Sequence, residues 1–348
     1  MIDSHATQSV RPRPFISGHA GPAQAESADS VNRLEAQALW LRDASVGHPG
    51  PGGSRLAGAT PVLAAMVAAL FSGHLRQDPG TPEWPNRDRC EFAHGRAEGL
   101  LRLLAAHGIH RSPPPPARHR MRQVRGGPAG AASAVRRALA NADAVRAIGE
   151  GLGAQAAALA DCRTFLIVDA SGIAWVRDTE ALVRAGARRL SNLIVLVDET
   201  GAVPGLAHDR GLVLLAGAGW QIHEHAASDG IIELGRVLAM ARHAATGPTL
   251  IRCHPATTTD DAGALLRAFA GPDRASPAEV ARFWRLDMLG QRRIKRWRAA
   301  VERLRAERPS QAEALMQGLA RLDAPERFGS GNLGAPRVVR AARLRSLV

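Results

Sequence analysis

The chain of 348 residues is 45% hydrophobic and 22% charged, near the averages for globular domains, and carries a net charge of +13. No uninterrupted apolar run approaches the roughly 20 residues that a membrane-spanning helix requires. Residues 1–21 hold no apolar segment of the secretory type, so a cytoplasmic protein without membrane association is expected. Cys90, Cys162 and Cys253 are widely spaced and form no CxxC pair, which argues against a disulfide framework and a structural zinc site. The basic residues are arginines dispersed along the chain, with Lys295 the single lysine. Tyrosine is absent and aromatic residues make up 4%, so nucleic acid is not the expected partner.

Residues 1–30 are rich in Pro, Ser, Gly, Ala and His without apolar periodicity and read as a mobile arm. A helix is expected over 31–44, with Asp29 or Ser30 as its cap, and a buried helix over 60–71, where Thr60 caps and Pro61 takes the first turn. A further buried helix spans 99–106, and Pro113 to Pro116 form a break. Alanine-rich helices are expected over 132–140 and 154–160, separated by Gly149, Gly151 and Gly153. The apolar runs 164–169 (TFLIVD) and 192–198 (NLIVLVD), each ending in aspartate, read as buried parallel strands joined by a helix over 179–188. Strands over 220–223 and 249–253 flank a helix over 230–244, and helices follow over 277–286 and 292–307. The fold class expected is α/β: a doubly wound, mainly parallel sheet flanked by helices over 31–270, a helical appendage over 271–315 and a basic irregular tail over 316–348.

In such sheets ligands collect at the carboxyl ends of the strands, which singles out Asp169 and Asp198. An aspartate there either ligates a divalent cation that holds a phosphate or caps the next helix; the sequence alone leaves both open. The run Gly149-Glu150-Gly151-Leu152-Gly153 precedes a helix, as backbone amides that approach a pyrophosphate do, but follows no strand. His48 and His94 sit in short loops before buried helices.

Together these segments resemble the N-terminal half of transketolases. Gly47-His48-Pro49-Gly50 is similar to the family's SGHPG loop, and Asp78 through Trp84 to Arg87-Asp88-Arg89 resembles its NPxxPxWxxRDRF signature. Arg89 to Gly95, with His94, stands at RFVLSNGHG. Ile148 to Gly153 resembles the second half of GPLGQGLS, for which Gly127-Pro128-Ala129-Gly130 is the alternative position. Val168-Asp169-Ala170 falls at GDG, 193–201 at LIVFYDDNG, and Gly219-Trp220 at the GWHV strand. The helix around Trp297 resembles the one that closes this half. The likeness extends over about residues 30–315.

The resemblance implies a fold that holds thiamine diphosphate through Mg2+, and transfer of a two-carbon ketol unit between sugar phosphates. It makes Asp169, Thr200 and the carbonyl of Ala202 the metal ligands. Ile148, Gly149, Gly151, Asp169 and Ala170 become coenzyme contacts, and His48 and His94 the catalytic-channel histidines. It also shows departures: Val168 and Ala170 replace the glycines around Asp169, and Thr200 replaces an asparagine. The family's pyrimidine-binding domain follows this half, and it is expected here on a separate chain. Two functions follow as expectations. One is a subunit of a split transketolase-like enzyme, inactive alone, that pairs with a separate pyrimidine-domain subunit as a homodimer or heterotetramer. The other is a non-catalytic pseudoenzyme that binds or scaffolds a partner.

Overall fold

The computed structural model describes residues 22–46, 58–110, 128–170, 175–202, 206–244, 246–255, 284 and 286–323. Its centre is a five-stranded parallel sheet in the order β1-β2-β3-β5-β4, built from β1 (Arg89–Ala93), β2 (Thr164–Asp169), β3 (Leu193–Asp198), β4 (Gln221–Ala226) and β5 (Thr249–His254). The three central strands are nearly continuous runs of Val, Ile, Leu and Phe because both of their faces are covered. After β3 the chain crosses over to the far edge and then returns to insert β5. Asp198 therefore lies beside the point where the strand order reverses, the usual place for a crevice in an open α/β sheet.

On one face α1 (Pro22–Ala44), α2 (Pro61–Ala69), α3 (Ala97–Ala106) and α8 (Gly230–His243) cover the side chains of Phe165, Ile167, Ile194, Leu196 and Ile251. On the other, α4 (Pro128–Glu150), α6 (Trp175–Ala187) and α7 (Leu206–Gly217) cover Leu166, Val168, Val195, Val197 and Leu250. A third core joins the end of α4 and the short α5 (Ala154–Ala157) to α9 (Leu286–Glu307) and α10 (Pro309–Ala320). Trp84 of the signature run meets Trp297 of α9 edge to face, ring centroids 6.1 Å apart, which ties that run to this layer.

Several expectations are corrected. Helix α1 begins at Pro22, inside the segment read as a mobile arm, and runs through Asp29 and Ser30, which therefore do not cap it. Strand β1 carries Glu91, a residue that argues against a strand in sequence; Arg137 of α4 holds it with Nε at 2.9 Å and Nη2 at 2.7 Å. Helix α4 is unbroken from Pro128 to Glu150, so Gly149 lies in its last turn. Helix α10 crosses the boundary drawn at 315/316, burying Ala312, Leu315 and Leu319 on one face. Helix α7 was not anticipated. Most of the helix expected over 277–286 and residues 324–348 lie outside the described residues.

Two histidines give the fold a pH dependence. Burial, with Arg242 and Arg293 nearby, lowers the His74 pKa to about 4; burial and Arg87 do the same for His110, also to about 4. The unfolded chain protonates near 6.5 while the folded one resists, so their contribution is full above that value and is lost as pH falls toward 4. The urea midpoint is expected to fall between about pH 6.5 and 5, and a His74→Asn/His110→Asn variant to flatten that part of the profile. A wild-type midpoint constant across this range contradicts the assignment.

Candidate functional site

The site is built where β2 and β3 end side by side, with Asp169 and Asp198 in register. Their side chains share the face covered by α2, so the N-terminus of α2 and the loop after β1 close over them. Thr60 caps α2, its hydroxyl accepting from Leu63 N at 2.9 Å, with Pro61 in the first turn as expected. The same hydroxyl donates to Asp198 Oδ2 at 2.5 Å.

His94 follows β1 directly and is buried. Its Nδ1 accepts from Arg96 N at 3.1 Å, so that nitrogen carries no proton, and Nε2 faces Asp198 Oδ2 at 3.0 Å as a donor. His94 Nδ1 also stands 3.8 Å from Asp169 Oδ2, which accepts from Gly95 N at 2.7 Å. The imidazole thus lies between the two aspartates. Counted from Arg89, the histidine of RFVLSNGHG corresponds to Arg96; His94 stands two residues earlier and points into the fold.

Asp198 Oδ1 accepts from Thr200 N at 2.8 Å. Gly201 follows at φ +74°, the left-handed conformation that glycine favours, and turns the chain away. Burial pushes the Asp198 pKa upward, but hydrogen bonds from His94, Thr200 and Thr60 outweigh it and hold the carboxyl below the ordinary range.

The sequence-derived residues separate into groups. His94, Asp169 and Ala170 come together here, and Thr200 meets them through Asp198. Ala170 N donates to Asp198 O at 2.9 Å, so this amide closes the sheet end and is not presented to a ligand. Ala202 N bonds to Glu199 O in the turn after β3. Ile148, Gly149 and Gly151 are not part of the site. Ile148 and Gly149 finish α4 and Gly151 follows it, leading toward the amino end of β2, at the opposite end of the sheet. Ile148 packs into the third core, where a Cβ on Gly318 of α10 would meet it at 2.9 Å. The structure does not bring these expected coenzyme contacts together with Asp169, and the helix that opens near the alternative position is α4 itself, at Pro128. His48 lies outside the described residues. Thr60 was read only as a cap, because its second role depends on a residue 138 positions away.

The residues that the resemblance makes metal ligands are partly engaged within the protein. One oxygen of Asp169 accepts from the Gly95 amide, and the Thr200 amide donates to Asp198. Among the described residues no group of three His, Cys, Asp or Glu side chains is arranged to hold a metal. Hard cations need converging oxygen lone pairs, and one oxygen of Asp169 is already turned to the Gly95 amide.

This is the α/β architecture of thiamine diphosphate-binding folds. More narrowly, the chain is similar to transketolases in sequence and shares their fold. It is 26% identical over 341 residues to the chromosomal transketolase of Cupriavidus necator, an alignment covering 84% of this chain and 48% of that protein. It is 24% identical over 313 residues to transketolase 2 of Xanthobacter flavus, covering 78% and 44%. A solved transketolase from Pichia stipitis superposes with a TM-score of 0.60 at 20% identity over 87% of this chain and 50% of that one. The Leishmania mexicana enzyme gives 0.57 at 17% over 83% and 48%. No family model matches. The chain spans about half the length of the curated relatives it matches. No described helix is long and apolar enough to cross a membrane.

Proposed function

We propose that this transketolase-like chain has exchanged the magnesium and diphosphate end of its fold for a closed hydrogen-bonded cluster, and that it serves as a non-catalytic binding or scaffolding subunit. The carrying observation is Asp198, one buried carboxylate that receives Thr60, His94 and Thr200. Each of these groups would have to be released before a cation or a phosphate could enter between Asp169 and Thr200. Charge-assisted hydrogen bonds in a buried setting are worth about 1.5–3 kcal/mol apiece, so opening the cluster competes directly with coenzyme binding.

A second reading keeps the chain as one subunit of a split ketol transferase. It is favoured by Asp169, whose side chain keeps 19% of its surface at the carboxyl edge of the sheet. In that case a separate pyrimidine-domain subunit supplies the rest of the coenzyme site, and the assembly is a homodimer or heterotetramer.

Calorimetry with thiamine diphosphate and Mg2+ separates the two. The first reading predicts no saturable heat with the wild-type chain, and measurable binding after Ala170→Gly combined with Thr200→Asn, which removes a methyl and restores an amide carbonyl donor. Saturable binding by the wild-type chain that Asp169→Ala abolishes would overturn it in favour of the second.

A further inference from the structure

A second polar cluster lies at the opposite, amino end of the sheet, five residues back along β2 from Asp169 or roughly 16 Å at strand rise. It is assembled from five separate parts of the chain. Asp88, just before β1, accepts from Arg76 N at 2.7 Å, Arg163 N at 2.8 Å and Arg242 Nη1 at 2.6 Å. Arg76 also binds Asp161, with Nη1 to Oδ2 at 2.5 Å and Nη2 to its carbonyl at 2.6 Å. Arg242, in the last turn of α8, and Arg293, on α9, donate to the adjacent carbonyls of His74 and Gly73 at 2.8 and 3.4 Å. Arg163 Nη1 reaches Ser191 O at 2.9 Å.

Among the described residues of this cluster, four guanidinium groups surround two carboxylates, Asp88 and Asp161. Arg76 Nε is buried without a hydrogen-bond partner, 3.6 Å from Asp88 Oδ1, and the long contact of Arg293 uses little of its donor capacity. Asp161 keeps 48% of its side-chain surface, so the cluster opens to solvent on that side. Against burial, the carboxylates raise the pKa of Arg76, whereas two other members shift the opposite way. Burial, then Arg242, lowers the pKa of both Arg163 and Arg293, and His74 is kept neutral by burial and the same neighbours. Guanidinium forks suit the oxygens of a tetrahedral oxyanion, and four are supplied here from separate parts of the chain.

We propose that the cluster formed by Arg76, Arg163, Arg242 and Arg293 is a binding site for a phosphate dianion, free or as a monoester. The anion would balance the excess charge and join β1, β2, α8 and α9 at the end of the sheet remote from Asp198.

The test is calorimetry of the full chain with inorganic phosphate, and separately with glycerol 3-phosphate, at constant ionic strength. One saturable site is expected, and the tighter of the two ligands identifies the occupant as free ion or organic monoester. Arg163→Gln and Arg293→Gln should each weaken binding by about tenfold or more, as loss of a charge-assisted hydrogen bond does. Asp161→Asn, which removes a competing carboxylate, should tighten it. Arg298→Gln, exposed on the same helix as Arg293, should leave it unchanged. The absence of saturable heat with both ligands overturns the proposal, as does an Arg298→Gln effect equal to that of Arg293→Gln, which would mark general attraction to a basic surface.

Discussion

Replacing Asp88 with alanine is expected to destabilise the fold by on the order of 3–5 kcal/mol, the loss found when one partner of a buried ion pair is removed. The side chain is fully inaccessible and joins the amide of Arg76, the amide of Arg163 and the guanidinium of Arg242, groups from three distant parts of the chain. Alanine leaves the guanidinium without its carboxylate and two partly buried amides without their acceptor. Asp88→Asn keeps the shape and one acceptor oxygen but not the charge, so it should fall between alanine and wild type. Urea denaturation of the three proteins gives the order directly. An Asp88→Ala midpoint equal to that of the wild type would mean that the arginines find other partners, and the account of this end of the sheet would be wrong.

The second large effect is expected at Asp198. Asp198→Ala removes the common acceptor of the Thr60 hydroxyl, His94 Nε2 and the Thr200 amide, and should cost on the order of 3 kcal/mol. Thr60→Val removes one donor and retains the size of the side chain. Its loss should be smaller, near 1 kcal/mol, although it also deprives Leu63 N of its cap. The pH dependence has a definite sign. The folded pKa of Asp198 is depressed, so its contribution is fully present above the unfolded value of about 3.9 and is lost as pH falls below it. The stability difference between wild type and Asp198→Ala should therefore narrow in that acidic range. A difference independent of pH down to full protonation would show that the carboxylate is not what holds the cluster.

What was legible in the sequence was whatever rests on local pattern. TFLIVD and LIVLVD could be read as buried parallel strands because both of their faces need apolar residues, and the cap at Thr60 followed from Thr-Pro before an apolar run. Strand β1 was hidden because Glu91 is acceptable only with Arg137, 46 residues away, to hold it. The glycine run misled for a related reason. Alanine-rich α4 carries through Gly149, and the packing of Ile148 against Gly318 cannot be seen from the glycines themselves. Helix α10 did have a visible apolar spacing at Ala312, Leu315 and Leu319, but the basic tail beyond it dominated the reading. At the site, the aspartates that close the two apolar runs, Asp169 and Asp198, do lie side by side at the strand ends. The role of Asp198 was not readable, because three of its partners come from the α2 cap, the loop after β1 and its own turn.

The most direct test of the central claim is the state of the His94 ring during a titration with Mg2+ and thiamine diphosphate. Nitrogen-15 NMR of the imidazoles reports which nitrogen carries the proton, and a His94→Gln sample assigns the signal among the 13 histidines. The closed cluster predicts a protonated Nε2 and a bare Nδ1 for His94, unchanged at saturating coenzyme. A His94 signal that shifts saturably as the coenzyme is added would contradict it, showing that the groups around Asp198 open to admit the ligand.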